Sequence, residues 1–166
     1  MNIIDSLLEE LEQEYNITKK FIGVYPAEKS GYKPHEKSTE MGALLQHIVE
    51  IFGWPGMMAK TEKLDFADHA DIIPNAPVSR EDFEILMERE FSNSRKALSV
   101  FDAADLQKTW GLYNAGHKLS EWSKYAAFRH ALSQIKHHRA QLGVYYRLND
   151  INVPASYGPS ADDMSF

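Results

Sequence analysis

Residues 130–146 read HALSQIKHHRAQLGVYY, and the fold class follows from whether this stretch is a helix. At ~100° per residue, Phe128, Leu132, Ile135, Leu142 and Tyr146 fall on one side, with Arg129, Lys136 and Arg139 read towards the flanks. That is the stripe of a long helix facing a core. Four residues able to hold a metal or move a proton, His130, Gln134, His137 and His138, occupy the same turns. His138 lies ~70° and Gln134 ~110° from the centre of the stripe, whereas His130 and His137 lie ~150° or more away. The inward pair is therefore Gln134 and His138. Their i, i+4 spacing stacks two side chains ~6 Å apart, as in the two-histidine pattern of helical zinc sites.

Working outward, Ile3, Ile4, Leu7, Leu8, Leu11, Tyr15 and Phe21 repeat at helical spacing, with Glu9, Glu10, Glu12 and Glu14 assigned to the other face. Gly23, Pro26, Gly31 and Pro34 break this first helix and call for a loop. Ser38 is read as the N-cap of a second helix with the stripe Met41, Leu44, Leu45, Ile48, Ile51 and Phe52. Gly53 and Pro55 kink or stop it near Trp54, before it resumes towards Lys60. Thr61 to Val78, with Pro74 and Pro77, reads as a second loop. Ser79 and Asp82 form a capping-box pattern opening a third helix with Phe83, Leu86, Met87, Phe91, Leu98 and Phe101 inward. Between Asp102 and Ser120 the periodicity fails, and Trp110, Leu112 and Tyr113 fit either a loop folded over one end of a bundle or a short extended piece. The fourth helix is placed from Ser120, and the tail INVPASYGPSADDMSF is too rich in Pro, Gly and Ser to be helical. Helices near residues 2–22, 38–60, 79–101 and 120–148, with no alternating pattern and no repeat, predict an all-α four-helix bundle. One domain spanning residues 1–166 is expected, with its tail from about 150.

Composition narrows the function classes. The formal charge is −6, with Lys and Arg scattered, so the basic footprint of a nucleic-acid binder is missing. The absence of cysteine removes thiolate ligands, disulfides and a cysteine nucleophile. An acidic N-terminus and no apolar run of ~20 residues predict a cytoplasmic protein without membrane segments.

His47 lies ~100° from the centre of its stripe, on the side shared with Trp54, where a residue at a helix seam stands. With Gln134 and His138 it makes a three-ligand set with open positions, able to lower the pKa of a bound water or thiol. A histidine at a seam also serves as a plain hydrogen-bonded structural residue. Glu50 points outward, and His35, His69 and His117 fall in predicted loops. Trp54, Trp110 and Tyr145 are candidates for a pocket wall, or simply core.

The segment HHRAQLGVYYRLNDINVPASYGPSADD, residues 137–163, resembles the C-terminal signature of the DinB family of damage-inducible proteins. There a His-His-Arg-Gly-Gln run leads to a Pro-x-x-Tyr-Gly-Pro-Ser tail. A loop with Pro34 before a helix beginning Ser38-Thr39 and bearing His47 is similar to the family's second-helix motif. The resemblance implies an up-down-down-up bundle whose metal is held by one histidine of helix two and two of helix four. On this chain these are His47, position 134 and His138, and Gln134 departs from the pattern by offering a weaker neutral amide. It further implies zinc or nickel, a homodimer, and a small-molecule substrate. The leading activity is metal-dependent transfer of a low-molecular-weight thiol such as bacillithiol to a small electrophile. A metal-dependent hydrolase, or a non-catalytic ligand- or partner-binding bundle with a weakened site, stands beside it.

Overall fold

The Asn2 side chain accepts the Ile4 N–H and starts the first helix, satisfying one of the donors a helix N-terminus leaves open. The chain, described here by a computed structural model over residues 2–69 and 79–165, then runs α1 (Ile3–Gly23), α2 (Met41–Ile51), α3 (Trp54–Lys60), β1 (Lys63–Asp65), α4 (Arg80–Ser99), β2 (Thr109–Asn114), β3 (His117–Ser123) and α5 (Lys124–Arg147). α1 packs on α4 and α5, and the α2–α3 pair packs against the same two helices from another side. Ile4, Leu7, Leu11, Phe21, Leu45, Ile48, Phe83, Met87, Phe128, Leu132, Ile135 and Tyr146 meet in one apolar cluster. Burying each such large side chain contributes ~1.5–3 kcal/mol relative to exposure.

Local signals explain most boundaries. Ser79 and Asp82 form the reciprocal capping box that their spacing predicts. The second helix starts later than expected: Ser38 serves in a turn, its N–H bonded to the His35 carbonyl, and α2 begins at Met41 without a side-chain cap. The interruption at Gly53 and Pro55 is real and separates α2 from α3. It is held from α4: the Ser94 hydroxyl, fully buried, donates to the Phe52 carbonyl at 2.5 Å and accepts the Gly56 N–H at 2.9 Å. A Cβ at position 56 would lie 3.0 Å from the Ser94 Cα, so glycine there permits the close approach. Ser94→Ala leaves a buried donor and a buried acceptor unpaired and is expected to cost about 1–3 kcal/mol. Chemical denaturation checks this; a loss under ~0.5 kcal/mol would mean that water replaces the hydroxyl.

The purely helical expectation is overturned by a three-stranded sheet. β1 runs parallel to β2, pairing Leu64 with Leu112, and β2 runs antiparallel to β3, pairing Trp110 with Trp122. Residues 120–123, expected at the start of the last helix, belong to β3, and the cap is Ser123, which accepts the Ala126 N–H. Of the two readings open for Trp110–Tyr113, the extended one holds. The hairpin turns on Ala115 and Gly116, both at positive φ as a two-residue turn requires. Alanine in that conformation costs roughly 1–2 kcal/mol. Asp65 offsets it from the neighbouring strand, its two carboxylate oxygens each accepting one turn N–H, of Ala115 and Gly116, at 2.8 Å. Of the expected loop 61–78, residues 63–65 are β1 and 66–69 a 3-10 turn, while Pro74 and Pro77 lie outside the described residues.

Two charged residues also lie elsewhere than expected. Glu14 and Arg139 are not on the outer faces but fully buried, Arg139 Nη2 lying 2.6 Å from Glu14 Oε2. Arg139 also donates to the Thr18 hydroxyl, and the Tyr157 hydroxyl accepts from Arg139 while donating to Glu14 at 2.6 Å. The non-helical tail is thereby folded back onto α1 and α5. Near its end Asp163 accepts from the Ser165 hydroxyl and from the Ala155 and Ser165 N–H groups, which hold its carboxyl at about 2. A lowered carboxyl pKa stabilises the fold above the ordinary value of 3.8 and loses that contribution as pH falls through about 2. The Ala155 amide resonance is therefore expected to titrate with a midpoint near 2; a midpoint of 3.8 would mean that the clasp does not form in solution.

Candidate metal centre and aromatic cavity

α2 and α5 lie side by side, and this seam brings together the two histidines singled out from the sequence. The His47 and His138 rings stand 4.7 Å apart between centroids, crossed at 75°. Burial, then the neighbouring His138, pushes the His47 pKa below its ordinary 6.5, which favours the neutral ring that a metal requires. His138 Nδ1 faces the Gln141 side-chain oxygen at 2.9 Å. An amide oxygen can only accept, so Nδ1 carries the proton and Nε2 keeps its lone pair.

Gln134 stands one turn before His138 on α5, half-buried, with its amide nitrogen 3.4 Å from His130 Nε2. His137 is exposed, its ring 4.8 Å from that of His138. His130 differs from its expected place on the far side of the helix: it is half-buried, stacked on Trp122 at 5.1 Å and 21°. The reason is β3, which a bundle-only reading lacks and which lays Trp122 over that face of α5. His35 and His117 are exposed, His117 in β3 rather than in a loop, and the His69 side chain lies outside what is described. Glu50, half-buried, accepts from Gln46. Among the described residues no three His, Cys, Asp or Glu side chains converge as a metal would need, and the Gln134 amide faces His130.

Trp54 packs crosswise on the His47 ring, 5.6 Å between centroids at 70°, and is also a wall of a cavity of about 90 Å³. Trp110 and Leu112 of β2, Trp122 of β3, and Met57 and Met58 of α3 form its other apolar sides. Phe66, half-exposed, and His130, half-buried, complete the lining. The Trp110 indole N–H is engaged by the Thr61 hydroxyl at 3.1 Å. Tyr145, a third candidate from the sequence, takes no part: its hydroxyl donates to the Thr39 carbonyl. Trp122 escaped sequence reasoning, and Leu112 and His130, though named there, were not assigned to a pocket; the near-alternation in HKLSEWS, once paired with TWGLYN, was the available signal.

No protein-family model matches the sequence, and no curated protein matches it. Solved structures do. A DinB-like protein, YjoA, from Bacillus subtilis superposes with a TM-score of 0.68 at 17% identity, over 87% of this chain and 92% of that one. A DinB-like protein from Bacillus cereus gives 0.71 at 17% identity, over 91% and 95%. Likeness of that extent at such low identity is likeness of fold, and none of the described helices is long and apolar enough to cross a membrane. The chain is therefore built on the fold of the DinB-like proteins.

Proposed function

We propose that this is a DinB-family metal-binding protein of the up-down-down-up bundle type, a metal-dependent S-transferase that joins a low-molecular-weight thiol to a small electrophile. The observation that carries it is the His47–His138 pair, 4.7 Å apart beside an apolar cavity. The donor set fits a divalent zinc or nickel ion: two imidazoles, one of them kept neutral by burial and the other held by Gln141 with Nε2 available. Gln134 would complete it with its amide oxygen after the amide turns from His130. A bound metal supplies the positive charge that lowers a thiol pKa of ~8–9 into the neutral range. The chain's own part is to hold the two rings and to give the electrophile a water-poor wall, Trp54 being shared between His47 and the cavity. The residues name no catalytic acid or base.

Elemental analysis of protein purified without a metal-affinity tag tests this. About one zinc or nickel per chain is expected in the wild type and a loss of most of it in His138→Ala; equal content in both would remove the site from this seam. A second reading, a non-catalytic binding bundle with a weakened metal site, is favoured by the amide nitrogen of Gln134 facing His130. The family reading, with the apolar surface of the first helix, carries a homodimer, and the acidic charge balance and lack of long apolar runs in the sequence carry a cytoplasmic location without nucleic-acid or membrane partners. Sedimentation at micromolar concentration, showing monomer throughout, would count against the dimer.

A further inference from the structure

Another cavity, a groove of about 460 Å³, runs along the side of α5 turned away from the histidine pair. One wall is a single row of the helix, Lys136, Ala140, Val144 and Leu148, each one turn after the last. Lys136 and Ala140 stand two residues either side of His138, ~200° round the helix from it, so this row does not face the seam. The other wall is the tail, with Pro154, Tyr157 and Pro159, and the nearly fully buried Phe21 forms the floor. The tail wall is held in place: the Tyr157 hydroxyl is engaged by Glu14 and Arg139, and Asp162 accepts from Arg147 and from the Val153 N–H. Val144, Leu148 and Tyr157 are exposed all the same, and large apolar side chains gathered on one groove mark a binding surface where scattered ones do not.

Width and polarity narrow the occupant. The row from Lys136 to Leu148 is ~18 Å long, so 460 Å³ spread along it leaves a mean section of ~25 Å², about 5 Å across. A helix, ~10 Å wide with its side chains, does not fit. An extended peptide fits by width, but its N–H and C=O groups would find few partners: the α5 backbone is bonded within the helix, and Pro154 and Pro159 have no N–H to offer. An alkyl chain has the same width and asks for no hydrogen bond. At ~1.2 Å per bond of extended chain, the groove takes a chain of about fifteen atoms.

Charge distinguishes the two ends. Arg129, Lys136 and Arg139 share two carboxylates, Glu10 and Glu14, which leaves one positive charge in excess. Among the described residues the ion-pair partners of Lys136 are those two carboxylates, at 2.5 and 3.6 Å, so one of the three donors of its partly exposed ammonium is left for a ligand. At the other end Arg147 is engaged by Asp162, with Asp150 close by, so no anion is drawn there. We propose that this groove binds an unbranched amphiphile of about fourteen carbons with a single negative charge, its head at Lys136 and its chain running towards Leu148. The site is separate from the seam of His47 and His138, and binding there needs no metal.

The probe is tetradecanoate, kept below its micelle-forming concentration and titrated calorimetrically into the metal-stripped full chain. Saturable binding of one molecule per chain is expected, equal in wild type and His138→Ala, so that a metal site that fails and a groove that fails are told apart. Octanoate, six methylenes shorter, is expected to bind at least thirtyfold more weakly. Tetradecyltrimethylammonium, the same chain under the opposite charge, is expected to bind at least tenfold more weakly. Lys136→Met should lose at least tenfold for tetradecanoate and nothing for the cation. Val144→Glu, at an exposed position, is expected to abolish binding with the melting temperature unchanged, and Ile85→Glu, as exposed but on α4, to leave binding intact. No binding to folded wild-type protein, equal binding of the anionic and cationic chains, octanoate as tight as tetradecanoate, or unchanged binding in Val144→Glu would overturn the proposal. So would a wild-type dimer that Val144→Glu turns into a monomer in sedimentation, since a second copy of the chain would then occupy the groove.

Discussion

Arg139→Met is expected to lower the free energy of unfolding by about 3–5 kcal/mol, the cost of removing one member of a buried ion pair. Glu14 is fully buried and faces Arg139 at 2.6 Å. Without the guanidinium, its carboxylate keeps the Tyr157 hydroxyl as a donor and Lys136 at 3.6 Å, neither of which replaces a charge in contact. For a chain of this length the loss corresponds to a melting temperature lower by roughly 10 °C. Glu14→Gln with Arg139→Met should restore much of the stability, since the uncompensated charge is then gone. A double-mutant cycle by chemical denaturation measures the coupling, and additive single effects would mean that the pair is solvated in solution.

Gln134→His is expected to raise zinc and nickel affinity at least tenfold, about 1.4 kcal/mol or more, since imidazole is the better ligand for either ion. A histidine at 134 would stand one turn from His138 on α5, on the row that already places His138 against His47. It must lose its proton before it can ligate, so binding should also become steeper with pH near neutrality. Titration of metal-stripped wild-type and variant proteins decides the matter. Equal affinities, or binding that survives loss of both His47 and His138, would place the metal elsewhere.

The parts legible in the sequence were those where one local rule acts alone. The capping box at Ser79, the breaks at Gly53 and Pro55, and the apolar stripes of α1, α2 and α5 need nothing beyond spacing. His47 and His138 stand beside each other because phase places both at a seam. Glu14 and Arg139 were misplaced because charge was allowed to override phase. Glu14 stands three residues from both Leu11 and Ile17, and Arg139 four after Ile135 and three before Leu142. Both therefore sit on the stripes, and opposite charges on two packed stripes are tolerable since each neutralises the other. The sheet was missed for another reason. Its turn is Ala-Gly rather than the usual Asn-Gly, and the alanine is tolerated through Asp65, some fifty residues earlier, which no window on the hairpin can see.

That parallel strand has a kinetic consequence. β1 and β2 are separated by the whole of α4, so the chain must close that long loop before Leu64 can meet Leu112. Helices form locally and early, whereas contacts of high sequence separation form late. Under native conditions the same hierarchy runs backwards, the weakly anchored unit opening first. The Gly111 amide, bonded to the Glu62 carbonyl at 3.0 Å, should then exchange with solvent through openings that leave Leu132 and Ile135 protected. The cavity walls contributed by the sheet would thus breathe while the helical seam carrying His47 and His138 stays shut, giving a guest a way in that costs the histidine pair none of its alignment.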